Sequence, residues 1–377
     1  VGNPIQPSVH EGHLASVIGE ASLRQVHEAS LGVHVPVPIA GTPFYAVDGR
    51  IIVEPRRMQD DTGRRLYERP HQREAIRPIA YGRSGRSLMP VAGGGFASLS
   101  DLISEATTGG KSQTLQFVKG PSGTKVVGRG WSYWGLGPWP AIGAAGGTTG
   151  TGAAVTRTTT GALTQQNPSG SDTLHVVTAT VAANVGANLL LLYDRLWTMT
   201  HTMTVDPRSC DAANPPTRYQ TATTAPGSFL SGEVTTVLPA ATPTVTFDYV
   251  DQDGNAVTGP ALSTIESGAA VNSIPFTIGK WFYPLDPADQ GLRTLGNTAN
   301  AVNLSAAMAS GVVTWFIGHP LMYIPSQVAN IAVVIDGINS AFNLQQVLTD
   351  ACMAFLETAA GATTTTTWNG NILFVSG

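Results

Sequence analysis

From residue 174 onward the chain repeats one pattern: a short run of Val, Ile, Thr and aromatic residues, then a turn signal, at intervals of about ten residues. HVVTATVAA, GSFLSGEVTTVL, TPTVTFDYV, GVVTWFIGHPLMYIP, ANIAVVIDGIN and NILFVSG are such runs. β-Branched and aromatic side chains fit a pleated, half-buried surface, whereas a helix restricts their χ1. NLLLLYDRLWTMTHTMTV is Leu-rich enough for a helix, but it passes into Thr-Met alternation of period 2, which favours a long buried strand. FDYVDQDGNAV reads as a hairpin with Asp253-Gly254-Asn255 at its turn, and SIPFTIGKWFYPL as a further strand. Leu344, Val347, Leu348, Ala351 and Phe355 recur at helical spacing and allow one C-terminal helix. The expected fold is mainly β. An extended N-terminal arm precedes one or more domains resembling a β-sandwich or jelly roll, with a few short helices.

Four segments follow from the same reading. Residues 1–97 form an arm, with a short helix over 13–30 and prolines at 36, 38 and 43 that force an extended path. Its arginines crowd into residues 50–86: Arg50, Arg56, Arg57, Arg64, Arg65, Arg69, Arg73, Arg77, Arg83 and Arg86, interleaved with five carboxylates. Residues 98–142 form a small α+β segment. There SLSDLISE predicts a helix capped by Ser98 with Asp101 at N3, and LQFVKGPSGTKVVGRG predicts two strands about a Pro-Ser-Gly turn. Residues 143–171 are Gly/Thr/Ala-rich and read as a loop that bounds the main domain, residues 172–377.

Charge narrows the role. Only 12% of the residues are charged, against roughly 25% in an average soluble domain. A dispersed monomer keeps a charged surface, so a chain this poor in charge is expected to cover much of its surface with neighbours. The alternative is a secreted or thermally robust β protein with a Thr/Ser/Asn surface. Net charge is −4, but unevenly placed: residues 1–129 carry 15 basic and 11 acidic groups (+4), residues 130–377 carry 6 and 14 (−8). Guanidinium groups make planar, bidentate pairs with carboxylates, so the arm reads as a clamp on neighbouring subunits. A solvated linker is the plain alternative. Nucleic acid is disfavoured as a partner because phosphate would repel the interspersed Asp60, Asp61 and Glu68. Trp131, Trp134 and Trp139 cluster among Gly and Pro, and three roles suit them: a buried corner, a subunit anchor or a sugar-stacking platform.

No catalytic or metal-binding pattern stands out. His10-Glu11-Gly12-His13 lacks a third ligand, and HExxH is absent. Asp251 to Asn255 begins like a calcium loop, yet position 12 would be Leu262, which cannot ligate. His201 and His319 have no spacing that ties them together. Cys210 and Cys352 lie far apart, and the strongest apolar run, residues 189–192, is far below the roughly 20 residues of a membrane helix. The expectation is therefore a non-enzyme with neither cofactor nor membrane span.

With the Arg-rich arm, NLLLLYDRLWTM, FDYVDQDGNAV and IGHPLMYIPSQVANIAVVIDGINSAFNL in view, the chain resembles virion structural proteins of tailed bacteriophages. The resemblance implies a virion location and a head decoration or cement protein. Such a protein binds neighbouring capsid subunits and assembles as a homo-oligomer, often a trimer. A major capsid protein or tail component is the next reading, although no long charged spine helix is found. A secreted glycan-binding β protein or a glycosidase is the reading from another class.

Overall fold

The structure, a computed structural model, describes residues 44–47, 50–53 and 96–377, apart from short stretches at 145, 148–150, 211–216, 221–226, 262, 297–300, 339–343, 360 and 362–363. The chain divides into two units, residues 1–84 and 85–377. In the first, β1 (Phe44–Val47) and β2 (Arg50–Val53) pair antiparallel, with Val47 opposite Arg50. The helix expected over 13–30 lies outside the described residues.

The second unit is built from three antiparallel sheets and one short helix. The first sheet runs β4 (Trp131–Ser132), β18 (Met353–Ala359), β8 (Asn188–Thr202), β15 (Val312–Ser326), β9 (Phe229–Thr236), with β6 (Ala153–Ala154) also on β8. The second runs β16 (Val333–Asp336), β7 (Leu174–Ala183), β19 (Trp368–Ser376), β3 (Ser112–Lys119), β5 (Pro138–Trp139), with β17 (Gln346–Val347) on β7. The third gathers β11 (Ala256–Thr258), β12 (Ser263–Thr264), β13 (Leu292–Leu295) and β14 (Val302–Leu304) around β10 (Thr244–Asp251).

The Leu-rich run becomes β8 because both of its faces are covered. Leu190 and Leu192 enter a core shared with Phe117, Val176, Ile372 and Phe374 of the second sheet. Leu191, Tyr193, Trp197 and Met199 enter another, shared with Val245, Phe247 and Tyr249 of the third. A strand buried on both sides reads as a continuous apolar run, which sequence alone cannot tell from a buried helix. The ring centroids of Phe117 and Phe355 lie 4.3 Å apart across the sandwich. β8 and β15 slip register twice, leaving Leu196 and Leu321 as extra residues. Bulges of this kind bend a strand, so the long ribbon can serve both cores.

Several expectations hold locally. Helix α1 (Leu99–Thr107) starts where predicted: the Ser98 hydroxyl accepts from the Asp101 amide, and the Asp101 carboxylate accepts from the Ala97 amide. The β10–β11 hairpin turns at Asp253-Gly254-Asn255, and the Asp251 carboxylate accepts from the amides of Asp253 and Asn255. That use of Asp251 is structural.

Others fail for identifiable reasons. The C-terminal helix is absent: Val347 lies in β17 and Phe355 in β18, with Asp350 at φ 62° between them, a left-handed residue at which a right-handed helix stops. The helical spacing there serves two cores, since Leu344 packs with α1 while Val347, Ala351 and Phe355 pack in the sandwich. The strand expected after the Pro-Ser-Gly turn is irregular chain, because Lys125 turns inward to Glu357 while Val126 and Val127 stay exposed. Residues 273–285 are also irregular, joined to their neighbours only by isolated bridges, Trp131 to Ser273 and Ile265 to Phe276. Segments 98–142 and 143–171 supply β3, β4, β5 and β6 to sheets formed mainly by residues 172–377.

Candidate functional site

Many charges of residues 98–377 are paired, and three of the pairs are internal. This part of the chain has ten cations, and six are held by carboxylates among the described residues: Lys111, Lys125, Arg129, Arg157, Arg195 and Arg218. Three of these pairs sit at the heart of the molecule. Asp194 takes both oxygens to Arg218, at 2.9 and 3.0 Å, and also accepts from the Cys352 amide at 2.7 Å. Burial pushes the Asp194 carboxyl up, against the pull of Arg218. Arg195, the next residue on β8, points to the opposite side. It meets Glu233 at 2.7 Å, with its guanidinium carbon 4.7 Å from the Trp134 ring and 4.4 Å from the Phe316 ring. Ser132 donates to the other oxygen of Glu233. Glu357 accepts from Lys125 at 2.6 and 2.7 Å, Tyr133 at 2.7 Å and Trp368 at 3.2 Å.

Each of these carboxylates is engaged by a cation and further donors. They brace the sheets, and none is left as a free pair in a cleft. His201 is held by the Val205 carbonyl at 2.9 Å and the Trp315 indole at 3.2 Å. His319 stacks on Tyr219 at 3.9 Å, and burial pushes its pKa down to about 4. The two histidines do not meet: His201 lies opposite Val313 and His319 opposite Asp194.

The outer face of the second sheet is nearly neutral. Its register rows are Trp139–Val118–Asn369–Ala182, Gln116–Asn371–Thr180–Val334 and Thr114–Leu373–Thr178–Asp336. Asp336 is the sole charge in these rows. Toward β16 the surface turns apolar, with Val328, Ile331 and Val334 more than half exposed.

At the opposite edge lies a groove of about 470 Å³ between β3, β5 and the loop 158–164. Trp139 stands at its rim, 62% exposed, with Thr114, Gln116, Thr158, Thr160 and Thr164 among the residues that line it. Both walls are pinned. Lys119, itself buried, donates to the carbonyls of Leu136, Pro140 and Ala141 at 2.8, 2.9 and 3.3 Å and so fixes the segment that carries Trp139. Burial lowers the Lys119 pKa to about 8. The loop is tied by Ala144 donating to Thr160 and Leu163 donating to Met353, while Gln113 and Gln166 bond reciprocally across its far end.

The residues singled out in the sequence are thus dispersed. Trp131 and Trp134 are internal, 1% and 3% exposed, and only Trp139 of the three is open to a partner. Arg50 begins β2, and its side chain is not among those described. Arg56, Arg57, Arg64, Arg65, Arg69, Arg73 and Arg77 lie outside the described residues. Sequence reasoning missed Lys119, Gln116 and the threonines of loop 158–164. Their signal was faint: Thr114, Gln116 and Val118 alternate with inward residues, but a low-complexity Thr run gives no hint of the wall it forms.

No protein-family model and no curated protein matches the chain. Solved structures of infectious bursal disease virus are distantly similar to it. One is a mutant VP2 protein of infectious bursal disease virus in T=1 particles, at 10% identity over 73% of this chain and 83% of that one, with a TM-score of 0.16. Another is the Gx strain of the same virus, at 12% identity over 71% and 79%, with a TM-score of 0.15. Scores this low carry no argument about fold or role. No helix among the described residues is long and apolar enough to cross a membrane.

Proposed function

We propose that this chain is a virion structural protein of the head decoration type, repeated around a capsid and bound to neighbouring capsid subunits. The observation that supports this most is the nearly uncharged outer face of the second sheet, which ends in exposed Val328, Ile331 and Val334 at β16. An edge strand with apolar surroundings is a liability on a free monomer and an asset in an assembly that covers it. The arm adds the complementary element. Residues 1–97 carry eleven arginines, whereas residues 98–377 have 16 acidic and ten basic groups, so arginines of one copy can pair with carboxylates of the next. In this reading the chain is not an enzyme, and the resemblance noted in the sequence favours a trimer.

Light scattering on the size-fractionated full-length protein tests the proposal. A stable homo-oligomer is expected, and exchange of Arg56, Arg57, Arg64, Arg65, Arg69, Arg73 and Arg77 for Gln should dissociate it or release it from capsids. Spontaneous shells would favour a major capsid protein. A monomer at every concentration that also ignores capsid subunits would overturn the assembly reading. Glycoside turnover lost on neutralising one of two neighbouring carboxylates would overturn the non-enzymatic one.

A further inference from the structure

The geometry of the β3–β5 edge points to a second activity: we propose that the groove beside Trp139 binds a neutral saccharide. Small-molecule sites are concave, of about 300 to 1,000 Å³, with an apolar wall and a few placed polar groups. The groove fits that description at about 470 Å³. Trp139 offers an exposed indole, an amphipathic surface on which the C–H face of a pyranose can lie. The apolar part of the lining continues through Pro140, Ala141 and Leu115.

The polar part has the right character. Thr114, Gln116 and Thr160 line the groove, and their side chains make no hydrogen bond among the described residues. Hydroxyl and amide groups both donate and accept, as sugar hydroxyls do, so the two can pair without a fixed charge on either side. No charged residue lines the groove. Arg157, the nearest cation along the chain, is turned away to Asp350 at 3.1 Å and the Gln165 carbonyl at 3.2 Å. That excludes the chemistry that recognises phosphate, sulfate or a nucleic-acid backbone, each of which calls for cations. Preorganisation supports the same conclusion, because Lys119 holds the Trp139 segment by three carbonyls and Gln113 and Gln166 hold the facing loop.

The test is an array of neutral hexose and N-acetylhexosamine oligosaccharides beside sialylated and sulfated counterparts, probed with the full-length protein. Neutral members should be retained and the acidic counterparts should gain nothing from their charge. Titration calorimetry with a retained oligosaccharide should show at least tenfold weaker binding for Trp139→Ala and for the double variant Gln116→Leu/Thr160→Val. Both alter exposed side chains, so unchanged thermal unfolding checks that each variant folds. An array with no neutral member retained overturns the proposal, and so does binding that survives both variants. Loss of self-association in Trp139→Ala, with a silent array, would assign the indole to a subunit contact instead.

Discussion

Replacing Glu357 by Gln removes a charge while preserving shape. The amide oxygen can still accept from Tyr133 and Trp368, whose donors lie 2.7 and 3.2 Å from the carboxylate. What is lost is the counter-charge of Lys125, whose ammonium sits 2.6 and 2.7 Å from the two oxygens with both side chains fully enclosed. Removing one partner of a buried pair costs about 3–5 kcal/mol, because the remaining ion is left in a medium that cannot solvate it. For a unit of this size that corresponds to a fall of about 5–8 °C in Tm.

The cost should depend on pH in a definite sense. Burial already lowers the Lys125 pKa, and Glu357 opposes that shift. Without Glu357 the folded lysine is held further below its unfolded value of about 10.4. Between those two values the unfolded chain keeps a proton that the folded chain has released, so stability of the variant rises with pH. Urea unfolding of both proteins at pH 7 and pH 10 should show the deficit shrinking at the higher pH. A Lys125→Met/Glu357→Gln double variant should recover most of the loss at pH 7, since no orphan charge remains. A deficit below about 1 kcal/mol at pH 7, or one equal at both pH values, would refute the reasoning.

Other outcomes can be checked as directly. Lys119→Met should lose an alkaline stabilisation of the native protein: with its folded pKa at about 8, wild-type stability gains about 2 kcal/mol from this group between pH 7.5 and 10, measured as the difference between the two unfolding curves. Ser98→Ala removes the cap that receives the Asp101 amide and should cost about 1 kcal/mol in the same assay. Cys210 and Cys352 are buried, and burial pushes the Cys352 thiol up, so a thiol-titrating reagent should react with neither until denaturant is added. Asp194→Asn should destabilise by several kcal/mol, because Arg218 loses its bidentate partner on the same strand that carries Arg195.

Local chemistry in the sequence determined most of the long strands, the Ser98 cap and the Asp253-Gly254-Asn255 turn, because each depends on a few adjacent residues. The period-2 Thr-Met run marked β8 as a strand for the same reason. Tertiary structure decided the rest. Only the stacking of a sheet on either side of β8 explains its Leu run, and only the separation of Leu344 from Val347, Ala351 and Phe355 into two cores explains why a helical spacing there makes no helix. The three tryptophans look alike in sequence, yet Trp131 and Trp134 fill cores and Trp139 stands in solvent. The buried pairs join residues as far apart as Lys125 and Glu357, a proximity that no spacing rule along the chain encodes. The groove likewise joins β3 to a Thr-rich loop some forty residues later, through hydrogen bonds that exist only once both sheets have formed.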